Sequence, residues 1–337
     1  MGRLGCHTGT DRLPYTVCRE TLESLRRYAG AASSDLQWPA VFVYPFWLET
    51  WWRHFQGRAE MLLLSVRQGE KVIGIAPFMV EDSKVSLIGS PEVCDYLDCI
   101  IVHGAADTFA RALLDHLFSS GIHALDLRCL RADAALLAGI KAVAPELKLE
   151  LSCVQEAVSM ELELPSTWEQ YLAGLNRKQR HEVRRKLRRL GEASTYRYYE
   201  IEDYKAWAEF LPVFMRMFKQ NPEKAQFLSM QEGLFFREAV SDAARAGLAR
   251  FGVLEVDGSP AASVLYFDHH DVVYLYNSAY DPARAGLSTG LLCKVLSIKE
   301  AIANKKSRYD FLKGGEVYKQ RLGGHAVPIY KCRITMQ

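Results

Sequence analysis

The chain has 337 residues, 49% apolar and 24% charged, with 42 basic against 40 acidic side chains and a net charge of +2. That balance is ordinary for a soluble globular protein; it excludes a protein that coats nucleic acid with its whole surface, and no apolar run nears the ~18 residues of a membrane span. The length predicts two domains of roughly 150 to 170 residues, each able to bury its own core.

In chain order, residues 1–6 show neither a signal-peptide core nor a complete myristoylation signal, because Cys6 stands where Ser or Thr is needed. A cytoplasmic location is expected. A helix is predicted over 19–28, then a loop rich in Ala, Ser and Pro, then a helix over 44–55 whose Phe46, Trp47, Trp51 and Phe55 fall on neighbouring turns and face a core. Apolar runs at 61–66 and 72–80, turning at Gln68-Gly69-Glu70, predict a hairpin, followed by a strand at 85–88, a helix near 107–118 and a strand ending Leu125-Asp126-Leu127. Residues 147–153 and 159–164 read as the last strands of this half, and Pro165-Ser166 as a boundary with Ser166 capping the next helix. The predicted domains are 1–164 and 165–337.

Residues 177–189 carry eight basic side chains and one Glu, a local +7 that leaves the rest of the chain near −5. Leu175, Val183, Leu187 and Leu190 give this segment an apolar seam, so it is predicted to dock as a helix, with Gly191 as its stop. Helices near 203–218 and 230–246 follow. Strands at 248–256 and 261–267 joined by Asp257-Gly258, a strand at 272–278, a helix over about 287–303 and a strand at 309–311 then repeat the order of the first half. From turn glycine to strand aspartate the two copies span 57 (Gly69 to Asp126) and 52 (Gly258 to Asp310) positions, which argues for a duplicated α/β domain.

Only the second copy has glycines ahead of its helix, in Gly286-Leu-Ser-Thr-Gly290, and the segment Gly314-Gly-Glu-Val-Tyr-Lys319 after its last strand. Free backbone N–H groups and the positive end of the helix dipole at Gly286, Ser288, Thr289, Gly290 and Leu291 suit a pyrophosphate, at the carboxyl edge of the sheet. The eight cysteines show no Cys-x-x-Cys spacing, and the nine histidines are scattered; buried reduced thiols and no metal site are expected.

The run Tyr280-Asp-Pro, Ser288-Thr-Gly-Leu-Leu, a long helix and Tyr309-Asp-Phe-Leu-Lys-Gly-Gly-Glu-Val-Tyr-Lys319 resembles the C-terminal half of the CelD-like acetyltransferases of the GNAT superfamily, relatives of the Fem aminoacyl transferases. Asp95-Tyr-Leu-Asp98, Lys178-Gln-Arg180 with Arg184-Arg185, and the final Leu322-Gly-Gly324 extend the resemblance over most of the chain. It implies two tandem GNAT-like domains with mixed, mostly antiparallel sheets flanked by helices, the first degenerate, the second binding an acyl-CoA such as acetyl-CoA. The GNAT phosphate loop usually reads Gln/Arg-x-x-Gly-x-Gly/Ala; here the glycines are displaced.

Such a reaction needs a neutral amine, a stabilised oxyanion and a protonated leaving thiolate, although a lysine-like amine has a pKa of about 10.4. Asp95, Asp98, Asp310 and Glu316 are the candidate carboxylates, Lys319 the cation at the oxyanion and Tyr318 the acid, or a packing residue. By the resemblance Arg180 holds an anionic acceptor, a small sugar or nucleotide-sugar amine, with Lys178, Tyr96 and Asp98 beside it. Two other donors or partners compete: aminoacyl-tRNA, as in the Fem relatives, and a nucleic acid bound by the 177–189 helix. Gly286-Leu-Ser-Thr-Gly290 also fits Gly-x-Ser-x-Gly, with Asp310 and His325 following in the order of an α/β-hydrolase triad, but a loop rather than an apolar strand precedes Ser288.

Overall fold

The computed structural model describes residues 15–31 and 35–336; Cys6 and the N-terminal signal positions lie outside the described residues. The first half contains β1 (Tyr15–Arg19), α1 (Leu22–Gly30), β2 (Leu36–Gln37), α2 (Pro45–Phe55), β3 (Glu60–Gln68), β4 (Lys71–Glu81), β5 (Lys84–Leu87), β6 (Ile100–Val102), α3 (Ala106–Ser119), β7 (Ala124–Arg131), α4 (Ala135–Val143) and β8 (Leu149–Glu163). The second contains α5 (Trp168–Gly174), α6 (Arg177–Ala193), β9 (Tyr196–Ile201), α7 (Tyr204–Phe218), α8 (Pro222–Ser229), α9 (Gln231–Arg245), β10 (Ala249–Val256), β11 (Ser259–His269), β12 (Val272–Tyr280), α10 (Thr289–Ala303), β13 (Arg308–Lys313), α11 (Val317–Arg321) and β14 (His325–Met336).

The strands form one sheet in the order β1-β3-β4-β5-β7-β14-β8-β13-β12-β11-β10-β9, with β2 and β6 appended at β4. Each half has two antiparallel neighbours (β3–β4 and β4–β5; β10–β11 and β11–β12) and then a parallel pair, β5–β7 or β12–β13. A helix makes the crossover to each second parallel strand, α3 in one half and α10 in the other, because two parallel strands cannot be joined by a tight turn. The repeat read in the sequence is therefore a repeat of topology. The Asp257-Gly258 turn has both residues at positive φ, 51° and 76°, as a two-residue hairpin needs.

The halves exchange their last strands. β14, from the end of the chain, lies between β7 and β8, while β8, from the end of the first half, pairs with β13. The two strands predicted at 147–153 and 159–164 are one long strand, β8, which spans the junction of the halves. Cys153 and Cys332 face each other in the β8–β14 register and are joined as a disulfide. The expectation of reduced thiols fails at this pair: the two lie 179 positions apart, and only the strand exchange brings them together.

The aromatic stripe faces a core, as expected. Trp47 is fully buried against Phe42, Phe235 and Phe267, and Trp51 lies beside it. A second apolar cluster lies among α5, α6 and α10, with Leu172, Val183, Leu190, Leu292 and Phe311 buried in it. That cluster is what holds the basic helix down. Thr167, not Ser166, caps α5, in a capping box with Gln170, a device that contributes about 1 kcal/mol. α6 runs past Gly191 to Ala193, because an exposed glycine costs a helix only about 1 kcal/mol. α4, β9 and α8 were not expected; each is short and gains its stability from docking rather than from its own periodicity.

Candidate active site

The first residue ahead of α10, Ser288, sits in the left-handed region at φ 58°, where an L-residue other than glycine is uncommon. Its conformation turns the chain into the helix with no side-chain cap, while its carbonyl accepts from Leu291 and Leu292. Among the described residues the N–H groups of Thr289 and Gly290 have no partner, at the positive end of a 15-residue helix. A cleft of about 620 Å³ opens there, bounded by Ser288, Thr289, Gly290 and Leu291 together with Lys186, Lys224 and Lys294, and among the described residues no carboxylate lines it. Of the residues expected at the donor site, Ser288 to Leu291 line that cleft and Gly286 is exposed outside it.

The three lysines come from three elements. Lys186 of α6 donates to Ser288 Oγ at 2.9 Å. Lys294, one turn into α10, donates to the Gly290 carbonyl at 3.1 Å and lies over the Tyr318 ring. Lys224 of α8 donates to the Ser278 carbonyl and to Asn277 Oδ1, and lies over Phe218. Burial lowers the ammonium pKa of Lys224 and of Lys294 to about 8, and the proximity of Lys294 adds to the effect on Lys224. Neither ammonium has a carboxylate partner among the described residues. Two desolvated cations beside a helix N-terminus give the cleft the chemistry that suits an anion.

Two further clefts adjoin the first. One, of about 1290 Å³, runs along the first half of α6 past Arg177, Lys178, Arg180, His181, Arg184 and Lys186 to Arg321. The other, of about 350 Å³, is lined by Asp95, Lys224, Asn277, Glu316 and Lys319. Tyr318 lines all three. Burial holds its hydroxyl pKa well above that of a free tyrosine, so it remains a hydrogen-bond donor.

Of the candidate carboxylates, Asp95 and Glu316 reach a cleft. Asp95 accepts the Lys313 N–H at 3.0 Å, and burial raises its pKa against the opposing pull of Lys313. Glu316 is more than half exposed and pairs with Lys319. Asp310 is fully buried, lines none of these clefts and accepts the Tyr96 hydroxyl at 2.8 and 2.9 Å; burial, with nearby Glu161, pushes its pKa up to about 7. Tyr96 is likewise buried, so neither of the two meets substrate from this position. Asp98 accepts from the N–H groups of Cys99, Ala135 and Leu136: it caps α4 and is not a substrate ligand.

Lys319 also departs from its expected role. Its ammonium donates to the carbonyls of Leu312 (3.2 Å), Lys313 (2.8 Å) and Gly314 (3.1 Å) and pairs with Glu316 at 2.9 Å. Three N–H groups already face four acceptors, and none is left for an oxyanion. What the lysine holds is the break in β13, where Leu312 takes φ 59° and Gly314 φ 109°. Arg180 donates to the Ala173 carbonyl at 3.1 Å at the edge of the large cleft, with Lys178 beside it. For the hydrolase reading, Ser288 Oγ is paired with Lys186 and Asp310 with Tyr96, so the Ser-Asp-His relay is not assembled.

Sequence reasoning missed Lys224 and Lys294. Lys294 had a legible signal, a lone charge inside the otherwise apolar run Leu291-Leu-Cys-Lys-Val-Leu296 at the start of its helix. Lys224 had none, since its partners lie 53 and 54 positions away. Among the described residues no cluster of His, Cys, Asp and Glu suits a metal, and no helix is long and apolar enough to cross a membrane.

Residues 177–320 match the family model of the acetyltransferase (GNAT) domain. That segment contains α6, all of α10 and Tyr318-Lys319, and it makes the chain an acyltransferase. The whole chain is similar in fold to the crystal structure of FemX, at 12% identity and TM-score 0.62, covering 94% of this chain and 96% of that one. It is similar also to a conserved protein of unknown function from Bacteroides thetaiotaomicron, at 13% identity and TM-score 0.59, covering 95% and 99%. A third likeness is to the C-terminal domain of a lysylphosphatidylglycerol synthetase from Agrobacterium fabrum, at 9% identity and TM-score 0.56, covering 94% and 91%. At these identities the likeness is one of fold. No curated protein matches the chain.

Proposed function

We propose that this protein transfers an acyl group from an acyl-CoA thioester to the amine of a small anionic acceptor, by direct attack in a ternary complex. The observation that carries the reading is the meeting of three clefts at Tyr318: one cationic at a helix N-terminus, one lined by arginines, one holding a carboxylate. The donor's pyrophosphate would take the Thr289 and Gly290 N–H groups with Lys186 and Lys294 around it. The acceptor's negative charge would lie along Arg177, Lys178, Arg180 and Arg184, with its amine turned toward Asp95. Asp95 would then take the proton of the attacking amine, Lys224 would face the developing oxyanion in place of Lys319, and the Tyr318 hydroxyl would hydrogen-bond the departing sulfur.

On this reading the halves, divided near residue 164, have separate tasks: the second binds the donor and the acceptor's charge, and the first contributes Asp95. Thermal-shift titration with CoA, acetyl-CoA and longer acyl-CoAs tests it, with stabilisation expected that Lys294→Met weakens; no shift with any of them would sink the CoA assignment. The eight basic side chains of α6 and the FemX-like fold support a second reading, an aminoacyl-tRNA donor. Stabilisation by aminoacyl-tRNA alone, declining steeply with salt, would select it.

A further inference from the structure

The loop that presents Asp95 belongs to the first half, yet the second half fastens it. Tyr96 Oη donates to both oxygens of Asp310, at 2.9 and 2.8 Å. Lys313 N–H donates to Asp95 Oδ1 at 3.0 Å, and Lys313 Nζ donates to the carbonyls of Pro91 and Cys94. Asp310 does a second thing with the same carboxylate: its Oδ1 accepts the Leu312 N–H at 2.7 Å, at the residue whose left-handed backbone starts the break in β13. One fully buried side chain therefore fixes the loop that carries Asp95 and the break that points the Lys313 N–H at Asp95. Arg131 Nη1, 3.7 Å away, supplies the nearest cation and is itself paired with Glu161.

We propose that Asp310 and Tyr96 are positioning residues, whose hydrogen bond across the two halves sets the place of the Asp95 carboxylate relative to the attacking amine. The proposal rests on the reading of Asp95 as the base. Neither residue lines the clefts that meet at Tyr318, so neither acts on substrate directly. A fold could bury an apolar pair at this point. A hydroxyl shared by both oxygens of one carboxylate instead fixes the loop in direction as well as distance, the kind of support a general base needs, because misplacement by about 1 Å costs on the order of a hundredfold in rate.

The test is Tyr96→Phe, which removes one oxygen and keeps the ring against Phe42 and Tyr274. Expected are a fall in kcat of about ten- to a hundredfold, an unchanged KM for the donor, and an acid limb of the pH–kcat profile moved to higher pH. The limb moves because Asp95 loses part of its bond from Lys313 N–H while Lys313 from β13, Glu316 just ahead of α11, Lys319 from α11, Tyr276 from β12, Cys129 from β7 and Lys224 from α8 still surround it. Asp310→Ala removes both acceptors and should repeat the pattern, while Asp310→Asn, which keeps one oxygen for Tyr96 and Leu312, should show the same changes in smaller measure and serves if the other variants fold poorly. A wild-type kcat, or a loss that only tracks the folded fraction with the acid limb in place, overturns the proposal. Asp95→Asn measured alongside separates the two levels: if that variant keeps full activity, the base assignment itself is wrong and the positioning role goes with it. If it is inactive while Tyr96→Phe is normal, only the positioning role is lost.

Discussion

α3 and α10 occupy the same place in the two halves, each the crossover helix leading into the second of two parallel strands, but their N-termini have opposite surroundings. α3 begins without a side-chain cap, carries Asp107 in its first turn, and is covered by α4: a side chain at Gly139 would stand 2.3 Å from the Ala106 carbonyl oxygen. α10 begins beside an open cleft with Lys186, Lys224 and Lys294 around it. A negative charge at the first end satisfies the helix dipole from within. At the second, the dipole faces the cleft beside Lys224 and Lys294, which have no carboxylate partner among the described residues. The two helix ends share one topology; the packing of α4 closes one, and the other borders an open cleft.

The comparison predicts a division of labour that variants can break. Asp95→Asn removes the first half's contribution to the chemistry and should lower kcat by about a hundred- to ten-thousandfold, with donor binding intact; steady-state kinetics beside a CoA titration checks both. Lys319→Ala leaves three carbonyls of the β13 break without their donor and should destabilise the fold by about 3 kcal/mol, read by urea denaturation. An unchanged stability with lost activity would restore the oxyanion role to this lysine. Lys294→Met should weaken CoA about tenfold, roughly one charge-assisted contact, whereas Asp107→Ala at the closed helix end should leave CoA binding as it is.

A pH experiment sharpens the contrast further. Lys224 and Lys294 have pKa values lowered to about 8, so below that pH both are already charged, while above it an arriving anion must recharge them. Donor affinity should therefore decline as pH rises through about 8, and calorimetry in buffers of different ionisation enthalpy should show proton uptake there and little below. In the free protein the same groups bind fewer protons folded than unfolded between about pH 8 and 10, so stability should rise over that window and not fall.

Much of this was legible in the chain. The Asp257-Gly258 turn, the apolar seam of Val183 and Leu190, and the Ser288-Thr289-Gly290 helix entry are local patterns, and local patterns survive translation into structure. What sequence could not show are contacts between distant positions. Tyr96 and Asp310 are 214 apart and Cys153 and Cys332 are 179 apart, and no spacing rule links either pair. Lys319 was legible as important but not in its role, because the three carbonyls it holds depend on the backbone turning at Leu312 and Gly314. Asp98 misled for the opposite reason: it stood with Asp95 among the candidate carboxylates, yet the unexpected helix α4 uses it as a cap.

The most direct measurement is a crystal structure with CoA bound. The account predicts the pyrophosphate on the Thr289 and Gly290 N–H groups, with Lys186 and Lys294 in contact and the sulfur at the junction beside Tyr318. Density for CoA at the α3 end, or on α6 with the α10 terminus left empty, would contradict it.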